Sequence, residues 1–272
     1  MRLLLIGDIV GRPGKHACSQ IVPRLIHERQ VDFVVANAEN ASDGSGLTPA
    51  MFQKLRHYGI DACTMGDHIY RRREILPLLN ADGRIVRPAN YPPEAVGREL
   101  ALVETRGGVP IAVLSLLGRT YMNVRADCPF HAAERVLAQL PHTVKTIVVD
   151  VHAETTSEKV ALGWFLDGRV SVVFGTHTHV PTADERILPK GTAYITDVGM
   201  TGPYDSILGR DKQAVLKSLV SNMPHPYHVA SGDVRLCGVI VDVSPETGRA
   251  TAIERVCIAD ETAAQAASDE ED

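Results

Sequence analysis

His177 and His179 stand one residue apart at the end of the apolar run Val170-Ser171-Val172-Val173-Phe174-Gly175-Thr176. An extended backbone points alternate side chains the same way, so this spacing offers two imidazoles to one metal ion or to two adjacent ions. The pattern of an apolar run closed by polar residues recurs upstream. Asp8 follows 3–7, Glu39-Asn40 follows 33–37, Asp67-His68 follows 62–66, and His152 follows 147–151. Carboxylates, a carboxamide and imidazoles are the side chains that ligate manganese, iron or zinc. Gathered in one place they suggest a two-metal hydrolytic centre, in which paired cations lower the pKa of a shared water and clamp phosphoryl oxygens. Each residue alone has a plainer explanation. Asp8 reads as a turn acid, Glu39-Asn40 as solvated loop, His68 as a core histidine or a neighbour of Tyr70, and His152 as a cap. Their recurrence at five strand-like ends favours the joint reading.

Residues so far apart in sequence meet only if the elements before them end together. Candidate strands at 3–6, 33–36, 62–65, 101–103, 111–116, 146–151, 170–174, 193–196 and 234–243 are rich in Val, Ile and Leu. Many lack a polar alternate, as strands buried on both faces do. Between them, Thr48-Pro49 reads as an N-cap with proline at the first helical position, and Gly59 ends that helix. Further helices are expected at 71–79, 132–140 and 158–166, the last closed by Asp167-Gly168. This is an α/β layout, and in open α/β sheets the carboxyl ends of the strands line a shared crevice. The segments 235–243 and 251–257, joined by Ser244-Pro245-Glu246-Thr247-Gly248, read as an antiparallel hairpin at a sheet edge. No repeat or linker divides the chain, so one domain is expected over 1–258. An acidic, flexible tail is expected over 259–272.

At 272 residues, with 44% hydrophobic and 22% charged side chains, the chain can bury a large core. Its formal charge of -5 argues against broad attraction to nucleic acid or to an anionic membrane. Neither a stable nucleic-acid complex nor a membrane partner is expected. The five cysteines, Cys18, Cys63, Cys128, Cys237 and Cys257, are scattered and never form a C-x-x-C pair, which disfavours a disulfide framework and a thiolate zinc site. Gly7-Asp8 interrupts the N-terminal apolar run, and no apolar stretch approaches roughly 18 residues. A cytoplasmic location fits these features.

Six blocks carry a resemblance: Gly-Asp-Ile-Val-Gly at 7–11, Asn-Ala-Glu-Asn at 37–40, Met-Gly-Asp-His at 65–68, Asp-Val-His-Ala-Glu at 150–154, Gly-Thr-His-Thr-His at 175–179 and Asp-Val-Gly-Met-Thr-Gly-Pro at 197–203. In this order, and over nearly the whole chain to about residue 258, the sequence resembles the YmdB-type calcineurin-like metallophosphoesterases. The resemblance implies a single-domain, four-layer α-β-β-α sandwich and a bacterial cytoplasmic phosphodiesterase acting on cyclic nucleotides. Those would be 2',3'-cyclic and, more generally, 3',5'-cyclic monophosphates. It also implies homo-oligomers and two divalent or mixed-valence metal ions, iron or manganese, with zinc as an alternative. Carried over by position, it assigns Asp8, Glu39, Asn40 and His179 to one ion. Glu39 would bridge to the second, completed by Asp67, His152 and His177. His68 would be the catalytic general acid for the departing alkoxide.

Two positions depart from the wider superfamily. Asp8-Ile9-Val10 places Val where Asp-x-His is usual, with Asn40 the substitute that marks this subgroup. Gly66-Asp67-His68 replaces the usual Gly-Asn-His, adding a negative charge that should tighten cation binding and weaken attraction for phosphate. Asp67 therefore leaves open an alternative, a metal-binding regulatory protein with weak or vestigial phosphatase activity. Among the remaining marked residues, 71–73 reads as a solvated arginine face. Tyr91 is placed to stack on a base, the glycines of 197–203 to allow close backbone approach, and Trp164 to enter the core.

Overall fold

Leu3 and Leu5 face one way and Leu4 and Ile6 the other, and all four are fully buried because their strand lies in a sheet covered on both faces. The structure is a computed structural model and describes residues 1–262. Strands β1 (Arg2–Ile6) and β2 (Asp8–Ile9) lead into helix α1 (Gly11–Glu28). After them come β3 (Phe33–Asn37), α2 (Pro49–His57), β4 (Ala62–Thr64), a 3-10 turn (Arg73–Ile75) running into α3 (Leu76–Ala81), and β5 (Ile85–Val86). The middle of the chain holds β6 (Leu100–Glu104), β7 (Pro110–Leu117), α4 (Pro129–Leu137), β8 (Thr146–His152), α5 (Thr156–Leu166) and β9 (Val172–Thr176). It closes with β10 (Arg186–Ile187), β11 (Ala193–Ile195), β12 (Met200–Pro203), α6 (Lys212–Ser221), β13 (Val234–Val243) and β14 (Ala250–Ala259).

The strands make two sheets. One has the order β2-β12-β13-β1-β3-β4-β5 with β14 also paired to β13, and the other runs β10-β11-β9-β8-β7-β6. β1, β3, β4 and β5 are mutually parallel, as are β7, β8, β9 and β11. Three apolar clusters lie between four layers. Leu4, Val34 and Ala36 meet Ile21, Val22, Phe52 and Leu55 of α1 and α2. Leu5, Phe33 and Val35 of the first sheet meet Val113, Val148 and Phe174 of the second. Leu114, Val149 and Val151 then meet Ala133, Val136, Leu162 and Leu166 of α4 and α5. The fold is thus a single-domain mixed α/β sandwich with the order α-β-β-α, as the resemblance implied.

Several elements differ from the sequence reading. The long helix α1 was not anticipated, since Gly11, Pro13, Gly14 and Pro23 interrupt its pattern and Val10 supplies no side-chain cap. Its buried stripe of Ala17, Cys18, Ile21, Val22 and Leu25 overrides those breakers by packing on the first sheet. α6 was also missed, its one buried residue being Val215. The helix expected at 71–79 is instead the 3-10 turn plus α3, and the one expected at 132–140 begins at Pro129, a first-turn proline. At α2 the expected cap forms, with Thr48 Oγ1 accepting from Met51 N at 3.2 Å. Trp164 is 51% exposed rather than core, with the Arg186 guanidinium 5.7 Å from its ring, because Leu162 and Leu166 hold the inward face of α5. At the chain's end, Asp260 is buried with its Oδ2 2.7 Å from His16 Nδ1. The tail expected from 259 thus begins within β14 and the buried Asp260, and its remainder, 263–272, lies outside the described residues. No described helix is long and apolar enough to cross a membrane.

The buried ion pair of Lys159 Nζ on α5 with Asp197 Oδ2, 2.7 Å apart, fixes the segment before β12 against the second sheet. Removing one partner leaves an uncompensated buried charge, so Lys159→Met should lower unfolding free energy by about 3–5 kcal/mol. The loss of a helix cap in Thr48→Ala should cost about 1 kcal/mol. Denaturant titration of the two variants checks the order, and equal midpoints would contradict it.

Candidate metal centre

β1, β3 and β4 of the first sheet and β8 and β9 of the second end at the same edge of the sandwich. Among the described residues, Glu39, Asp67, His152 and His177 offer ligand atoms that all lie within 4.8 Å of one another. Asp8, Asn40 and His179 adjoin this group. The Asn40 Nδ2 position lies 3.4 Å from Asp8 Oδ1, 3.4 Å from Glu39 Oε1 and 3.3 Å from His179 Nε2. Glu39 belongs to both groups, since its Oε1 is also 3.2 Å from His152 Nε2. Gly66 leaves the space for this convergence. A Cβ there would sit 2.3 Å from Glu39 Oε2 and 2.3 Å from His152 Cδ2.

The histidine pair is not extended. β9 stops at Thr176, and His177 and His179 both take positive φ, 90° and 65°, in a turn after the strand. Such backbone costs of order 1–3 kcal/mol per residue and persists where surroundings over-determine it. Here His177 N donates to Asp8 Oδ2 at 3.0 Å, and Thr178 Oγ1 donates to Asp197 Oδ2 at 2.7 Å. The turn separates the two rings. His177 Nδ1 faces His152 Nε2 at 3.0 Å and Asp67 Oδ1 at 3.7 Å, whereas His179 Nε2 faces Asp8 Oδ1 at 3.8 Å.

Each of these three imidazoles turns one nitrogen to the cluster and rests the other on an acceptor. His152 Nδ1 lies 2.8 Å from Thr176 Oγ1, which donates its own proton to Asp150 Oδ1 at 2.6 Å. Thr176 must therefore accept from His152 Nδ1–H, leaving Nε2 to face Glu39 and Asp67. Asp150 is fully buried and also accepts from Thr64 Oγ1 at 2.5 Å and Asn37 Nδ2 at 3.0 Å. His177 Nε2 lies 3.3 Å from Glu154 Oε2, and His179 Nδ1 donates to the Leu208 carbonyl at 3.1 Å. Metal-binding imidazoles are oriented in this way.

The charges point the same way. Burial pushes the Asp8 carboxyl up. At Glu39 and Asp67 burial acts likewise, but the His152 imidazole outweighs it and holds both below the carboxylate range. Burial would lower His152, yet Glu39, Asp67 and Asp8 keep it well above the usual histidine value. His177, buried beside His152, is pushed down to about 4, and burial raises Asp150 to about 6. Three carboxylates around one imidazole make a field that binds positive charge, and a divalent cation can take the proton's place. The donor set therefore fits metal ions with oxygen and imidazole preference.

His68 stands at the rim. Its Nδ1 is 2.7 Å from Asn40 Oδ1 and its Nε2 3.6 Å from Asp67 Oδ2, and its side chain lines a cavity of about 320 Å³ with Glu39, Asn40, Glu154, His177 and His179. The amide oxygen and nitrogen of Asn40 are alike in shape. Half a turn of that amide would give the cluster an oxygen ligand and His68 a donor. Tyr91 does not line this cavity; it packs on Tyr70 with ring centroids 6.0 Å apart. Arg72, read as part of a solvated face, instead bonds Ser42 O, Ser45 O and Asp43 Oδ2, tying down the loop after Asn40.

Sequence reasoning missed Asp150, Thr176 and Glu154 as supports, although all three lie inside or beside the motif blocks. It could not have found Leu208, which acts through its backbone carbonyl. Asn37 opens a block, but only the structure shows its amide on Asp150.

A family model of YmdB-like proteins matches residues 4–256. A 2',3'-cyclic-nucleotide 2'-phosphodiesterase of Bacillus subtilis (strain 168) is 46% identical over 261 residues, covering 96% of this chain and 98% of its own. Among solved structures, a hypothetical protein from Thermus thermophilus has a TM-score of 0.89 at 40% identity, covering 96% of this chain and 100% of its own. A phosphatase from Mycoplasma pneumoniae also gives 0.89, at 31% identity, with 97% and 96% covered.

Glu154 gives the first test. Loss of a carboxylate behind a ligating histidine typically costs about 10–100-fold in metal affinity. Glu154→Ala should show that loss for one manganese ion in a competition titration, and unchanged affinity would contradict the orientation described.

Proposed function

Because the chain belongs to the YmdB-like protein family, we propose that it is a metal-dependent phosphodiesterase that opens 2',3'-cyclic nucleotides and also accepts 3',5'-cyclic monophosphates. The observation that carries this reading is the meeting of two ligand groups at Glu39, beside a cavity on whose wall His68 stands outside both groups. The relative from Bacillus subtilis supports the substrate class.

Asp8, Glu39, Asn40 and His179 would hold one ion, and Glu39, Asp67, His152 and His177 the other. Iron, manganese and zinc all suit these donors. Bound there, two cations would supply charge to phosphoryl oxygens and acidity to a nucleophilic water. The remaining work falls to the chain itself. Asp150 through Thr176, Glu154 and the Leu208 carbonyl keep the three imidazoles turned inward. His68, steadied by Asn40 at Nδ1, carries a proton at Nε2 to the departing ribose oxygen, an alkoxide that leaves poorly unprotonated. A cavity of about 320 Å³ sits at the small end of ligand sites, about 300–1,000 Å³, and suits one nucleotide rather than a duplex.

Purified protein with manganese and 2',3'-cyclic AMP tests the proposal. His68→Ala should lower kcat by about 10²–10⁴-fold with manganese content unchanged. The loss should be much smaller on bis(p-nitrophenyl) phosphate, whose leaving group needs no proton. Asp67→Asn should weaken manganese binding and lower KM, since it removes a negative charge facing the phosphate. Wild-type protein that binds manganese but turns over no phosphodiester would overturn the reading in favour of a regulatory metal-binding protein.

A further inference from the structure

Arg210 is the one permanent cation among the described residues that line the site cavity. It is half-buried, and burial lowers the affinity of its guanidinium for its proton. Among the described residues no carboxylate pairs with it. Its Nη1 donates to the Asp43 carbonyl at 3.4 Å and its Nη2 to the Gly44 carbonyl at 2.5 Å. These neutral acceptors aim the fork without cancelling its charge. The backbone is fixed as well, with Ile207 and Arg210 exchanging hydrogen bonds of 2.9 and 3.0 Å and Arg210 joined to Val229 by an isolated antiparallel bridge.

The cradle under the guanidinium is specific. Gly44 has φ +77°, and a Cβ there would lie 2.6 Å from Nη1 and 2.8 Å from Cζ. A left-handed glycine thus leaves room for the cation to lie flat on the loop that follows Asn40. The opposite loop supplies the cation and the Leu208 carbonyl that orients His179, so one short segment reaches both the ligand group and the cavity wall. A half-buried arginine with its charge uncompensated is costly unless an anion joins it. The acids of the site do not serve, because they are engaged with the imidazoles.

We propose that Arg210 is a substrate-binding residue whose guanidinium holds a non-bridging oxygen of the phosphoryl group, with Gly44 reserved to let it lie there. The proposal rests on the phosphodiesterase reading of this site only for the identity of the anion. It gives the site a fixed anion contact outside the metal ligands, which positions phosphate without any ligand changing.

Manganese-loaded wild-type protein, Arg210→Gln and Gly44→Ala would be compared in calorimetric titrations with inorganic phosphate and in turnover of 2',3'-cyclic AMP. Losing a charge-assisted hydrogen bond predicts a rise of about 10- to 100-fold in both the phosphate dissociation constant and KM for Arg210→Gln, with a smaller change in kcat. Manganese stoichiometry should match wild type, and the thermal midpoint should not fall below it. Gly44→Ala should raise both constants while Arg210 remains. Unchanged phosphate affinity in Arg210→Gln would overturn the proposal even if the enzyme is active. Arg210-dependent phosphate binding without turnover by wild type would support it and defeat the phosphodiesterase reading instead.

Discussion

Three buried or half-buried carboxylates, Asp8, Glu39 and Asp67, cannot share one edge of a sandwich unless positive charge shares it with them. The surrounding structure answers that constraint. His152, His177 and His179 each turn a nitrogen toward the acids, and each is held from behind by an acceptor on a different element. The raised proton affinity of His152 and the depressed carboxyls of Glu39 and Asp67 are two faces of the same field. Metal ions with oxygen and imidazole preference satisfy it better than protons, because they can be shared by several donors at once.

The architecture follows from placing those donors. Each strand that carries one of these side chains is buried on both faces, so its apolar run anchors the end from which a polar residue emerges. Two sheets are required because Asp8, Glu39 and Asp67 come from the first and His152, His177 and His179 from the second. The apolar layer of Leu5, Val35, Val148 and Phe174 fixes the distance between the two sets. Lys159, Asp197 and Thr178 then fix the turn that carries the last two imidazoles.

Much of this was legible in the sequence because strand ends punctuate clearly: Asp8, Glu39-Asn40, Asp67-His68, His152 and the His177/His179 pair all fall at one edge. The geometry of the pair was not legible. Alternation along an extended strand would have aimed both rings together, but two left-handed residues after Thr176 part them. Helix α1 was hidden by its glycines and prolines, whose local cost is outweighed by packing on the sheet. Trp164 was misread as core because aromatic character says nothing about which face of a helix meets the sheet. Supports acting through backbone atoms, such as the Leu208 carbonyl, leave no signature in residue type at all.

We propose that Glu39 joins two ion sites rather than completing one. Anomalous diffraction from crystals grown with manganese, collected at its absorption edge, tests it most directly. Two peaks per chain are expected, one among Asp8, Asn40 and His179 and one among Asp67, His152 and His177, with Glu39 between them. A single peak, or ions bound away from Glu39, would contradict it.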